Sequence, residues 1–375
     1  MAGFAVAARG LAGRVAPTMS DHDELARIRA AVEHADDALA AALDARARAV
    51  RALVALRERD PDGHYALSRG PDVVGRIRER IREFPAASLE PVLREVLSAC
   101  EALARPLRVA YAGAEGGLAH EAARRHFGAS AELLAVDDIA ATVELVERGE
   151  MRFGVVPLET TVDGSVAATL DALVAAEARV TAELTVPVAF HLASRTGHGA
   201  DFDKIYGTAV AHQQCERWLR ATFPHAAVID VPSPLVAAQL AAEDHGAAAI
   251  TTALVAESFG LQFVREHIED TGGVQVRFAV VGGEAPARTG ADRTVLAVAL
   301  HDSPGAFHRA LAPYAERGVN LTRIETRPAR GEPWRYVFVL ELDGHVDDPA
   351  VLAATESLRA ASRSLKLLGS YPRPV

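Results

Sequence analysis

The chain has 375 residues, half of them apolar and 24% charged, the composition of a folded globular protein with room for two or three separate cores. A formal net charge of −10 excludes a nucleic-acid binder, whose surface must be basic, and the longest apolar runs are too short to span a membrane. An anionic substrate would therefore need a local arginine cluster working against the overall field. Cys100 and Cys215 lie far apart without metal-ligand or redox spacing, so they read as reduced thiols of a cytoplasmic protein.

Residues 1–18 carry arginine and no acidic residue, in the loose manner of a targeting peptide. Met19 opens "MSDHDELARIRAAV", which reads as a natural N-terminus and leaves 1–18 as an upstream start or a disordered tail. From 19 to 104 the periodicity is helical. Leu25, Ile28, Val32, Leu39, Leu43, Val50 and Leu53 recur at helical spacing, and breaks at "DPDGH" (60–64) and "FPAAS" (84–88) predict one long helix and two shorter ones. So long a helix cannot bury its stripe within so small a unit, which predicts an intertwined dimer.

Between 106 and 283 short apolar runs such as "LRVAYAG", "FGVVPL", "KIYG" and "GAAAIT" alternate with helical segments, predicting an α/β domain large enough for two lobes. Residues 284–293 read as a polar linker. From 294 to 375 the order βαββαβ predicts a ferredoxin-like α+β module, with Ser303 expected to cap its first helix.

In "GGVQVRFAVVGG" (272–283) a buried strand carries Arg277, and a buried guanidinium is costly unless it meets an anion. The residues alone leave two partners open, a carboxylate of the same domain or the carboxylate of a ligand.

Motifs in all three regions resemble one family. "HDSPGAFHRALAPYAERGVNLTRIETRP" is similar to the ACT domain of prephenate dehydratases, with "GAF" and "ETRP" at its two phenylalanine-binding motifs. "VAYAGAEGGLAHEAARRHFG", "VERGEMRFGVVPLETTVDGSVAATLDAL" and "IEDTGGVQVRFAVVG" resemble successive dehydratase motifs. The helical region resembles an AroQ-type chorismate mutase. The order is that of the bifunctional chorismate mutase/prephenate dehydratases. The resemblance implies a multidomain protein: an all-α AroQ-like domain, a two-lobed dehydratase domain of periplasmic-binding-protein type, and an ACT module. It also implies a role in phenylalanine biosynthesis, a homodimer or tetramer, chorismate and prephenate as substrates, phenylalanine as effector, and no cofactor or metal.

Rearranging chorismate needs a folded substrate conformer and positive charge beside the breaking ether oxygen. Arg46 and Arg57 are eleven residues apart, which returns to within about 20° of one helix face. Arg29 lies on another face, and Arg69 stands where the family places a further arginine. By the same resemblance Arg57 replaces a lysine, Gly70 a glutamate, Cys100 a serine and Ala104 a glutamine that contacts the ether oxygen. Loss of such a donor costs about 2.7–4 kcal/mol of barrier.

Dehydration of prephenate needs an acid for the leaving hydroxyl while carboxylates are held by arginine and backbone amides. The family's Thr-Arg-Phe is here Val276, Arg277 and Phe278, which implies that Arg277 faces a ligand carboxylate and that Val276 supplies no proton. Gly117 and Ala119 stand for threonine and serine, Thr160 for asparagine, and Gly207, Thr208 and Val210 for serine, histidine and glutamine. Glu115 is retained, and Thr160, Thr161, Thr208 and His212 are candidates for a relocated donor. Gly305, Ala306, Phe307, Asn320, Leu321, Glu325, Thr326, Arg327 and Pro328 are the implied effector residues. The substitutions leave three functions open: the bifunctional enzyme, an inactive phenylalanine-binding paralogue, and an enzyme recruited to a related cyclohexadiene acid.

Overall fold

A computed structural model of the chain describes residues 21–59, 70–103, 106–198 and 202–374. The chain divides into two units, Met1–Val73 and Val74–Val375. The first unit contains α1 (Asp21–Arg59), a helix of 39 residues. Leu25, Ile28, Val32, Leu39 and Leu43 of its apolar stripe are all exposed.

Helix α2 (Gly70–Arg78) follows, and α3 (Ala86–Ala102) leads into an α/β region. Its first lobe is built from β1 (Arg108–Ala112), α4 (Leu118–Phe127), β2 (Glu132–Val136), α5 (Ile139–Glu147), β3 (Phe153–Thr160), the short β4 (Gly164–Ser165), α6 (Ala167–Ala175) and β5 (Val180–Pro187). The chain then crosses into a second lobe: β6 (His191–Ser194), β7 (Lys204–Gly207), α7 (Ala209–Gln214), α8 (Glu216–Thr222), β8 (Ala227–Asp230), α9 (Pro234–Glu243), β9 (Ala247–Thr251), α10 (Ala253–Ser258) and β10 (Gln262–Arg265). It returns through β11 (Gln275–Gly282) to the first lobe. The two crossing segments run side by side, with Val188 N–H donating to the Val274 carbonyl at 2.8 Å.

Both lobes follow one plan. Lobe 1 orders its strands β2-β1-β3-β11-β5, and lobe 2 orders its own β8-β7-β9-β6-β10. In each, the first three strands are parallel and the next is antiparallel to them. The strand order therefore reverses beside β1 in lobe 1 and beside β7 in lobe 2. Crevices at such reversals, outside the carboxyl ends of the strands, are where α/β sheets bind ligands. Apolar residues from both lobes, among them Tyr111, Val155, Ile205, Ile250, Val276 and Phe278, form one core.

The C-terminal module contains β12 (Asp292–Leu300), α11 (Ala306–Glu316), β13 (Leu321–Pro328), β14 (Tyr336–Asp343), α12 (Pro349–Ala361) and β15 (Ser362–Pro372), the expected βαββαβ order. Helices α11 and α12 cover one face of its sheet. The other face joins the core of lobe 1: Val295, Ala297 and Val339 pack with Leu158, Leu170 and Leu173. The two sheets also fuse at their edges, where Gly369 pairs with Val180. A methyl group at 369 would stand 2.9 Å from the Val180 Cβ and still closer to its carbonyl, so only glycine admits this approach.

Two local expectations change. Gly305, with φ of +72°, caps α11 in place of Ser303, whose hydroxyl instead accepts from Arg309 at 3.2 Å. The polar segment before β12 is not a loose linker at its end. The Asp292 carboxylate accepts from the backbone N–H groups of Thr289 and Gly290 and from the Thr289 hydroxyl, at 2.6–2.9 Å.

Candidate active site

The loop after β1 reaches across to lobe 2. The Thr252 hydroxyl, at the start of α10, donates to the Gly116 carbonyl at 3.4 Å. A Cβ at Gly116, where φ is +79°, would stand 2.6 Å from Val255 and 3.6 Å from Pro234, so a side chain here would pry the lobes apart. Gly116 N–H donates to His120 Nδ1 at 2.9 Å, which requires a neutral imidazole. Burial and nearby Arg124 lower the His120 pKa accordingly, against the pull of Glu115. The His120 ring stacks on Tyr111, whose hydroxyl is pushed up to about 12 by burial and by Glu115. Glu115 itself is exposed.

Thr160 and Thr161 close the far end of β3. The Thr160 hydroxyl accepts from Asp163 N–H at 2.7 Å, and the Thr161 hydroxyl from Gln275 N–H at 3.0 Å. Both are turn-forming bonds that tie β3 to β4 and β11. Thr208 caps α7, its hydroxyl accepting from Ala211 N–H at 3.2 Å. His212, one turn further, is buried, with Nδ1 2.5 Å from Asp230 Oδ1.

Val276 and Phe278 point into the shared core, and strand alternation turns Arg277 to the opposite face of β11. There its Nη2 donates to Glu159 at 2.6 Å and to Glu341 at 3.0 Å, with Glu183 3.7 Å from Nη1. This corrects the expectation of a ligand carboxylate: carboxylates from β3, β5 and β14 already surround the guanidinium. The cluster extends further. Arg293 bonds Glu183 and stands 3.1 Å from Glu341, and Arg323 bonds Ser165 and lies 3.9 Å from both Glu159 and Glu341.

Arg277, Arg293 and Arg323 thus balance Glu159, Glu183 and Glu341 in a buried network joining lobe 1 to the C-terminal module. Burial raises the pKa of Glu183. It pushes Glu341 the same way, but Arg277 and the Thr322 hydroxyl, 2.7 Å away, hold Glu341 below the usual carboxylate range.

A half-open cavity of about 740 Å³ lies between the C-terminal module and α6. Gly305, Ala306, Phe307, Arg327 and Pro328 line it, together with Asp171 of α6. The rings of Phe307 and Phe338 meet there, 4.8 Å between centroids. Arg327 grips Asp171 bidentately, Nε to Oδ1 at 2.7 Å and Nη2 to Oδ2 at 2.8 Å, and this bond lowers the Asp171 pKa.

Asn320, Leu321, Glu325 and Thr326 do not line the cavity. Asn320 donates to Asp343 at 3.1 Å, Leu321 packs against the module's own core, Glu325 accepts from Ser165, and Thr326 is exposed on the other face of β13. Of the mutase-like arginines, Arg29 is exposed and Arg46 half-buried on α1. The Arg57 side chain and all of Arg69 lie outside the described residues.

Sequence reading missed the partners Glu183, Glu341, Asp171 and Asp230, together with His120. His120 and Asp171 lie within the dehydratase-like motifs "VAYAGAEGGLAHEAARRHFG" and "VERGEMRFGVVPLETTVDGSVAATLDAL"; the others carried no local signal.

A two-lobed α/β domain fused to a βαββαβ module with its own cavity defines a class. The prephenate dehydratase family profile matches residues 109–286, and the ACT domain profile matches 294–360. The chain is 31% identical to the bifunctional chorismate mutase/prephenate dehydratase of Aquifex aeolicus, covering 94% of this chain and 98% of that protein. It is 32% identical to the Stutzerimonas stutzeri protein of the same name, over 95% and 100%. Among solved structures it resembles a prephenate dehydratase in complex with L-Phe from Arthrobacter aurescens, at 34% identity and a TM-score of 0.62, covering 71% of this chain and 90% of that one. The chain belongs to the bifunctional chorismate mutase/prephenate dehydratase family.

Proposed function

We propose that the chain converts chorismate to prephenate in its helical region and prephenate to phenylpyruvate between lobes 1 and 2, with phenylalanine as feedback inhibitor at the C-terminal cavity. The observation that carries the reading is the pair of strand-order reversals, beside β1 and β7, facing each other across the Gly116–Thr252 contact. The end-to-end match to bifunctional enzymes favours these reactions over an inactive phenylalanine binder or a recruited enzyme.

The exposed stripe of α1 supports pairing with a second copy, since a row of exposed leucine, isoleucine and valine on one helix is costly in water. In such a dimer Arg29 would reach the partner's site while Arg46, Arg57 and Arg69 serve their own. For the effector, Phe307 and Phe338 offer an aromatic wall. No helix among the described residues is long and apolar enough to cross a membrane, which agrees with a cytoplasmic site for this chemistry.

The test is proton NMR of purified protein with prephenate, and separately with chorismate, with and without phenylalanine. Phenylpyruvate formed at an enzymatic rate and suppressed by phenylalanine is expected. Untouched prephenate beside an active relative would overturn the reading.

A further inference from the structure

Lobe 2 holds a buried imidazole with one nitrogen committed and the other free. His212 lies one turn into α7, its backbone N–H on the Thr208 carbonyl at 2.9 Å. Nδ1 is fixed by Asp230, the last residue of β8. Nε2 is directed at Gly207, the last residue of β7: a methyl group at 207 would stand 2.8 Å from Nε2 and 3.1 Å from Cδ2. The imidazole therefore occupies the space that a side chain at 207 would fill.

Nε2 is buried and has no hydrogen-bond partner among the described residues, an arrangement that costs stability and that packing alone does not reward. The Thr251 hydroxyl, at the carboxyl end of β9, is likewise buried and unpartnered. Both lie at the ends of the strands that flank the order reversal of lobe 2, beside the Thr252 contact with lobe 1. The charged group bonded to the imidazole is Asp230; the position beside Nε2 is otherwise bordered by Ile250, which carries no charge.

We propose that His212 is the proton donor of the dehydratase reaction, positioned by Asp230; the inference rests on the reading of this cleft as a dehydratase site. The imidazolium Nε2–H gives its proton to the ring hydroxyl of prephenate, which departs as water. The bond from the ring to its carboxylate breaks at the same time, carbon dioxide leaves, and the electron pair of that bond completes the aromatic ring as the carbon–oxygen bond breaks. The neutral imidazole regains its proton from solvent. Asp230 holds Nδ1–H, so the proton that leaves is the one on Nε2.

The experiment measures phenylpyruvate formation by the full chain across pH. H212Q is expected to lower kcat at least ~100-fold, with KM nearly unchanged, and to abolish the loss of activity on the alkaline side of the profile. D230N is expected to lower kcat in the same direction, with KM nearly unchanged, because Nδ1–H loses the acceptor that orients the ring. The Asp230 side chain is 69% exposed, so D230N keeps the test informative if H212Q fails to fold. A folded H212Q with kcat within about threefold of the parent, or a D230N with kcat unchanged, overturns the donor while leaving the dehydratase reading intact. A parent protein that leaves prephenate untouched overturns both.

Discussion

Lobe 1 and lobe 2 place five strands in the same spatial order and sense, yet they use their polar residues in opposite ways. Lobe 1 directs Arg277, Glu159 and Glu183 to the face away from its core with lobe 2, where they bind the C-terminal module. Its approach to lobe 2 is made by Gly116. Lobe 2 keeps the ion pair Lys204–Asp244 at the surface and holds buried polar groups, His212 and Thr251 among them, near the carboxyl ends of its strands. One topology thus serves as an anchor for the effector module and as a holder of proton chemistry, because the fold fixes where strand ends meet but leaves side-chain assignment free.

The contrast is sharpest in stability. Replacing Arg277 leaves Glu159, Glu183 and Glu341 with only Arg293 and Arg323 to balance them, so R277M should lower unfolding free energy by about 3–5 kcal/mol. A denaturant titration showing less than about 1 kcal/mol would break the view of lobe 1 as an anchor. G116A adds a methyl group in a left-handed conformation against Val255; a loss of about 1–3 kcal/mol is expected, with a fall in dehydratase activity. A G116A protein as stable and active as the parent would show that the lobes need not meet there.

Acid should act on the same anchor. The amides and hydroxyl around Asp292 hold its carboxyl below the ordinary range despite burial, and Glu341 is held low by Arg277 and Thr322. Carboxyls depressed in the folded state contribute fully above their unfolded pKa values, about 3.9 and 4.3, and the contribution disappears as pH falls through the lower folded values. The melting temperature should therefore drop steeply below about pH 4, and D292N should flatten that descent. An equally steep descent in D292N would remove Asp292 from the account.

Regulation gives a smaller, graded effect. R327K cannot reproduce the two-pronged grip on Asp171, and weaker inhibition by phenylalanine, by about fivefold or more, is expected with uninhibited turnover retained. Unchanged inhibition would exclude this bond from the coupling between cavity and lobe 1. Least of all, K204A in lobe 2 should leave the melting temperature unmoved, since an exposed pair is screened by water and salt.

The elements were legible because their signals are local. The α1 stripe, the βαββαβ order of the C-terminal module and the glycine-bounded strand around Arg277 each rest on neighbours a few residues apart. Five of the nine residues expected together at the C-terminal module do meet at its cavity, since Gly305, Ala306 and Phe307 open one helix and Arg327 and Pro328 end one strand. The counter-anion of Arg277 was not legible. Glu159 and Glu341 lie 118 and 64 residues away in sequence, and Asp171 lies 156 from Arg327. No spacing rule links positions so distant; sheet order and the fused edge at Gly369 bring them together.

By itself, then, the sequence determined the order of helical, α/β and βαββαβ regions, the family, and which positions depart from its pattern, because composition, periodicity and motif are properties of short segments. Tertiary structure alone decided which partner each charged group would meet. Arg277 went to three carboxylates of its own chain, Arg327 to Asp171, and His212 to Asp230 with Nε2 left free beside Gly207. The physical reason is the cost of burying charge: an ion or imidazole settles against whatever the fold places within about 3 Å, and that neighbour is set by strand order.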